Sequence, residues 1–275
     1  MKRFLFLLTF CTAALCASAS NRYVSPTGDD GDGKSWEHAK TTIAGAISHV
    51  GVGDTMFIAE GVYEERLSTK DGATYLGGYN AETGVRDIET FATILDGKNL
   101  GTSDRLVTKY DTPPTNPIVI DGLVLQNNNF QYEGGAVNIR ANMTLSNCVI
   151  RDCEGSSGGA IYVVGGGGEQ PIIRNCTITS CKARGSYGGA IYNNGGLIDH
   201  CVIELCTSNS HGGAIYNIDG TVENTIIRGC GGKYGIISNS GACIVRNCVM
   251  YNNAATVTSW PNSGGVYVPD GSTDC

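Results

Sequence analysis

The chain has 275 residues, 39 of them glycine and 7 proline, with 16% charged side chains and a formal net charge of −7. So much glycine with so little charge argues against both a charged disordered chain and an ordinary helical domain. The negative balance argues against nucleic acid or an anionic membrane surface as partner.

At the start of the chain, Lys2 and Arg3 precede an apolar run from Phe4 to Ala17, and Ala17-Ser18-Ala19 fits a small-x-small cleavage site. Residues 1–19 therefore read as a signal peptide, and the mature chain is expected to begin at Ser20 or Asn21. No later stretch approaches the ~20 apolar residues that a membrane span needs. Asp29, Asp30 and Asp32 with Glu37 loosely echo a Ca²⁺ loop, but their spacing does not fit an EF-hand. A solvated turn is the expected reading, and no cofactor is required. Glu37 to Val50 reads as an amphipathic helix with Ala39, Ile43, Ala46, Ile47 and Val50 on one face. Strands follow near Thr55–Ala59 and Thr74–Leu76. Residues 20–92 thus read as a cap with the first coils of a single domain, and 93–275 as its regular coils.

The regular part repeats one phrase: LSNCVIRDC from Leu145, IRNCTITSC from Ile173, IDHCVIELC from Ile198, VENTIIRGC from Val222 and VRNCVMYNN from Val245. Its third residue is Asn147, Asn175, His200, Asn224 and Asn247, and Gly97 and Gly122 are expected in the same slot. The steps are 25, 25, 28, 25, 24 and 23 residues. Small or apolar side chains stand two places before this slot, one after it and three after it. Polar side chains alternate with them, as in strands with one buried face. Asn and Gly at the interruption suit a left-handed corner. Two short strands cannot close a core alone, whereas stacked coils share one, and this pattern predicts an all-β parallel β-helix solenoid with a helical cap.

A second phrase recurs half a coil later: GGAVN from Gly134, GGAIY from Gly158 and GGAIYN from Gly188 and Gly212. Its branched residue is expected inside and its tyrosine outside, the converse being the alternative. The outward column Tyr162, Tyr192 and Tyr216, continued at Tyr267, is the best binding candidate. Aromatic rings stack on sugars and anchor interfaces, although they also stabilise neighbouring strands by stacking on one another. Arg174, Asp199, Glu223 and Arg246 form a charged column. Asp199 beside Glu223, with Arg246, could bind Ca²⁺ or act as an acid/base pair on an acidic glycan. A mixed-charge ladder is the structural alternative, and the flanking arginines suit it. The cysteines fall in two columns, Cys148, Cys176, Cys201, Cys248 and Cys153, Cys181, Cys206, Cys230. In-register neighbours match disulfide geometry poorly, so buried free thiols are expected, with disulfides as the alternative. At the end, Asp274 and Cys275 read as the start of another corner, which points to a chain continuing past residue 275.

The opening YVSPTGDDGDGKSWEHAKTTIAGAI with VGDTMFIAEGVYEE resembles secreted right-handed β-helix proteins of the pectate-lyase-like superfamily. The GGAI-type repeats are similar to those of the polymorphic outer membrane proteins of Chlamydia, a resemblance that implies adhesion. Together these imply an exported or outer-membrane-associated, right-handed β-helix whose partners are carbohydrate or a host or matrix surface. The catalytic phrases of the superfamily's hydrolases and lyases are missing. His211, within SHGG, reads as a turn residue. The expected function is therefore a structural, adhesive or glycan-binding module, with a polysaccharide lyase or hydrolase as the alternative.

Overall fold

The computed structural model describes residues 19–108, 114–256 and 265–267. Within them the chain winds into four sheets of nine, eight, eight and five strands, and every strand pairing between coils is parallel. One coil illustrates the path. Ile191–Asn194 lies in an eight-stranded sheet, Leu197–Asp199 in the nine-stranded sheet, Val202–Glu204 in the other eight-stranded sheet and Thr207–Ser208 in the five-stranded sheet. Each strand then pairs with its equivalent one coil on, as Ile198 does with Val222 and Ile203 with Ile227. The result is a right-handed parallel β-helix.

Local chemistry explains the path. Asn147, Asn175, His200, Asn224 and Asn247 all adopt φ between 50° and 53°, the left-handed conformation that Asn tolerates best after Gly. This turn lets the residues on both sides of the slot point inward. Leu145, Ile173, Ile198 and Val222 are buried on one side, and Cys148, Cys176 and Cys201 on the other. The corner side chains bond along the stack: Asn224 Nδ2 donates to Asp199 Oδ1 at 2.8 Å and Asn247 Nδ2 to Asn224 Oδ1 at 3.4 Å.

Five residues later a second left-handed corner recurs at Asp152, Ser180, Leu205, Gly229 and Asn252. The cysteine after each corner has a defined task. Its thiol donates to the carbonyl two residues back, 3.1 Å for Cys148 to Ser146 and 3.2 Å for both Cys153 to Arg151 and Cys206 to Glu204. The small, weakly donating apolar group thus adds a second, weak bond to a carbonyl that already accepts a backbone N–H from the preceding coil, as Ser146 O does from Gly122 N at 3.1 Å. Thr225 replaces cysteine in one coil and does the same with its hydroxyl, at 2.8 Å from Glu223 O. The nine described cysteines are free, and all but Cys248 are buried. Burial pushes the thiols of Cys181 and Cys206 up, which keeps them protonated and inert.

The GGA phrase has an equally direct cause. Gly158, Gly188 and Gly212 take φ of 61° to 66°. The second glycine has no room for a side chain, because a Cβ at Gly135, Gly159 or Gly189 would collide with the carbonyl oxygen of the glycine one coil on. Beyond this turn Ala160 and Ile161 are both fully buried while Tyr162 stands outside. The branched residue is thus inside, as expected, and the alanine joins it. Two places further in, Asn193, Asn217 and Asn239 form a buried ladder. Asn193 Nδ2 donates to Asn217 Oδ1 at 2.8 Å, and Asn217 Nδ2 to Asn239 Oδ1 at 3.1 Å. Each fully buried Ile or Leu of this interior contributes about 1.5–3 kcal/mol.

Two expectations need correction. The helix is a single short turn, Ile43–Ile47, started by Thr42, whose side chain accepts from Gly45 N at 3.0 Å. Lys40 is already bridged to Val24 as extended chain, so the helix cannot begin at Glu37. Ala39, Ile43, Ala46 and Val50 are nevertheless buried and Ile47 packs against the core, closing the end of the stack. Gly97 does not share the slot of Gly122. Asp96 pairs with Gln126, which puts Gly97 level with Asn127 at the second corner. In that coil Gly77 stands level with Gly122, because Leu76 pairs with Asp121, and the left-handed residue of the first corner is its neighbour Gly78, at φ 86°. Residues 80–92 form an insertion between the two corners.

The expected signal peptide lies, but for Ala19, outside the described residues, and so do Asp274 and Cys275. Among the described residues no helix is long and apolar enough to cross a membrane.

Candidate functional site

Strand register brings Tyr162, Tyr192 and Tyr216 side by side on neighbouring coils. All three rings are half-buried on the outer face, and they lean onto one another. Tyr162 and Tyr192 stack at 4.5 Å between centroids with 19° between planes, and Tyr192 and Tyr216 lie 5.5 Å apart. Ser238 occupies the next position and breaks the column. Tyr267 follows Ser238 in register, but its side chain lies outside the described residues.

A second aromatic column, which the sequence reading missed, runs beside the first. Tyr187, His211 and Tyr234 precede the glycine turns of successive coils and are bridged in register. His211 lies 5.7 Å from Tyr187 and 4.6 Å from Tyr234. Tyr187 also packs against Tyr216 at 4.4 Å, which joins the columns, and Lys233 Nζ sits 5.1 Å from the Tyr234 ring. His211, read as a turn residue, is therefore a turn residue and a member of the aromatic face. The missed signal was the ring residue immediately before the turn glycine, Tyr187 before Gly188, His211 before Gly212 and Tyr234 before Gly235.

This face is close to neutral. Burial, with the phenols of Tyr162 and Tyr216, pushes Tyr192 up to about 12, and burial also raises Tyr162 and Tyr216. Burial and then Lys233 lower His211. At neutral pH the phenols keep their protons and the imidazole is uncharged, so Lys233 carries the positive charge at the edge. The face offers ring edges and hydroxyls that both donate and accept hydrogen bonds.

The charged column is also in register, running from Arg174 through Asp199 and Glu223 to Arg246. Its acids are occupied. Asp199 Oδ1 accepts from Asn224 Nδ2 at 2.8 Å and lies 2.6 Å from His200 Nδ1. Burial opposes these bonds, yet they hold the Asp199 carboxyl below its usual range. Glu223 Oε2 accepts from Arg246 Nε and Nη2, both at 2.5 Å. Two coils before Arg174, with Ser146 between them, Asp121 stands in the same register position. It accepts from Ser146 Oγ at 2.6 Å and Asn147 Nδ2 at 2.5 Å, and pairs with Arg86 of the insertion. Arg86 Nε also donates to Gly77 O at 2.9 Å, so this pair pins the insertion to the stack.

The acids near the N-terminus are likewise bonded within their own turn. Asp29 meets His38 Nδ1 at 2.8 Å, and Asp32 accepts from Lys34 N at 3.0 Å. Among the described residues no group of three or more His, Cys, Asp or Glu is placed to hold a metal ion.

No curated protein and no solved structure matches the chain. A family model described as a right-handed beta helix region matches residues 135–275, just over half the chain and the part that carries the corners, the cysteine columns and the aromatic face. With its parallel sheets wound in that sense, the chain belongs to the right-handed β-helix region family.

Proposed function

We propose that this chain is an exported β-helix module that binds an extended glycan without processing it, and that the aromatic face is its contact surface. The observation that carries this reading is the fused double column of Tyr162, Tyr192 and Tyr216 with Tyr187, His211 and Tyr234. Rings repeat along the stack at the strand spacing of ~4.8 Å, close to one pyranose of an extended chain. Neutral phenols suit sugar hydroxyls, and the apolar ring edges suit sugar C–H faces. An adhesive role follows if the glycan belongs to a surface. Catalysis by Asp199, Glu223 and Arg246 has less support, because each carboxylate is already bonded to neighbours on the stack.

Immobilised polysaccharides probed with the purified chain and with Tyr216→Ala and Tyr187→Ala test this reading. Wild type should be retained by at least one extended glycan and both variants should lose retention. Variants that bind like wild type, or a wild type that binds none, would overturn it. Export is tested by sequencing the N-terminus of protein recovered outside the cell, which should begin at Ser20 or Asn21.

A further inference from the structure

A second aromatic group sits at the opposite end of the stack. Tyr23 stacks on Phe57 at 5.2 Å, Trp36 meets Tyr23 edge-on at 4.9 Å, and Tyr79 packs against both Trp36 and Phe57 at 5.6 and 5.3 Å. Beside it, the insertion stands off the N-terminal segment and leaves a cleft of about 610 Å³. Ser25, Thr27, Trp36 and Glu37 line one wall, and Ala81, Glu82, Thr83 and Gly84 the other.

Both walls are fixed by their own hydrogen bonds. Asn80 Oδ1 accepts from the backbone of Glu82 and Thr83 and from the Thr83 hydroxyl, at 2.9–3.1 Å. On the other side Thr27 N donates to Ser25 Oγ, and Ser25 N to Lys40 O at 2.9 Å. The cleft is thus pre-formed and of a size that holds a small ligand. A Cβ on Gly84 would stand 3.5 Å from the Trp36 indole nitrogen, so the glycine leaves that edge open.

The charge in the cleft is one-sided. Glu37 and Glu82 are both exposed, and no Lys or Arg lines the walls. Neighbouring acids of the same segment are paired, Asp30 with Lys40 and Asp32 with Lys34, whereas neither Glu37 nor Glu82 forms an ion pair within the described residues. An indole that shares a cleft with two carboxylates outside any ion pair attracts a cation, and the hydroxyls of Ser25, Thr27 and Thr83 suit a polyol. We infer that the cleft between Trp36 and Ala81–Gly84 is a separate binding site for a small ligand bearing a protonated amine, of the amino-sugar class. It stands on residues remote in sequence from the tyrosine face and does not depend on it.

The test titrates the full chain with a glucosamine tetramer, its N-acetylated counterpart and choline, reading the Trp36 indole resonance by NMR and the affinity by calorimetry. The glucosamine tetramer should shift that resonance. Glu37→Gln/Glu82→Gln, which leaves the aromatic packing intact, should weaken binding by about tenfold or more, as expected for lost charge-assisted contacts. The acetylated oligomer should bind more weakly by a similar factor. Choline binding more weakly than the tetramer supports the amino-sugar class, and choline binding alone overturns it. Equal binding of the acetylated oligomer, no shift with any ligand, or an unchanged affinity in the double variant overturns the site. Because Trp36 itself reports, failure at the tyrosine face leaves this result unaffected.

Discussion

Replacing Tyr192 by Ala should cost more stability than replacing Tyr162, because Tyr192 is the centre of the aromatic face and Tyr162 its end. Tyr192 has three ring neighbours, Tyr162 at 4.5 Å, Tyr216 at 5.5 Å and Tyr187 at 6.3 Å. Tyr162 has one ring neighbour among the described residues, Tyr192. An aromatic pair contributes about 0.5–1.5 kcal/mol beyond area burial. These rings are half-exposed, so the lower part of that range applies. Tyr192→Ala should then cost about 2 kcal/mol and Tyr162→Ala about 1 kcal/mol, or about 4–8 °C against 2–4 °C in melting temperature for a domain of this size. Thermal unfolding followed by far-ultraviolet circular dichroism measures both, and a double-mutant cycle should give a coupling of about 0.5–1.5 kcal/mol. Tyr192→Phe keeps the ring and should keep the melting temperature while weakening any hydrogen bond to a ligand. Equal losses for Tyr162→Ala and Tyr192→Ala, or no coupling, would refute the stacked geometry.

The Arg86–Asp121 pair makes a pH prediction. Burial pushes the Asp121 carboxyl up, but bonds from Arg86, Ser146 and Asn147 outweigh it and hold the group below its usual value. A depressed folded-state value contributes stability above the unfolded value of about 4 that is lost as pH falls through the folded one. Arg86→Ala should therefore destabilise by about 2–3 kcal/mol at pH 7 and flatten the loss below pH 4, read by urea unfolding across pH. An unchanged acid profile would contradict the pairing. Among the nine described thiols, half-buried Cys248 should be alkylated first in the native state and the other eight only on unfolding, which peptide mass spectrometry resolves. Finally, the purified chain should release no unsaturated or reducing sugar from pectin, alginate or glycosaminoglycan, with or without Ca²⁺. Release abolished by Asp199→Asn or Glu223→Gln would make the charged column an active site.

The stack was legible because its first corner demands a particular chemistry, and Asn147, Asn175, Asn224 and Asn247 advertise it. The second corner was not, since Asp152, Ser180, Leu205 and Asn252 share a backbone angle and no side-chain type. What marks that corner in most coils is the cysteine after it, whose bond to the carbonyl two residues back leaves no trace in the type of the corner residue itself. Gly97 misled because ILDG and VIDG look alike, while the insertion at 80–92 shifts one to the other corner. The helix was overread because Ala39 and Ile43 are buried at helical spacing although Lys40 is extended. At the candidate site, the Tyr162 column followed from strand alternation. Tyr187, His211 and Tyr234 did not, because a glycine turn separates them from it in sequence and only folding brings Tyr187 within 4.4 Å of Tyr216. The Trp36 cleft depends wholly on where the insertion packs.

The most direct test of a glycan-binding aromatic face is a map of the bound ligand on the protein. With ring-labelled tyrosine, titration with a retained polysaccharide should shift the resonances of Tyr162, Tyr192, Tyr216, Tyr187 and Tyr234 together, and leave those of the buried Tyr63 and Tyr75 in place. A glycan that binds while these five stay unmoved would contradict the assignment of function to this face.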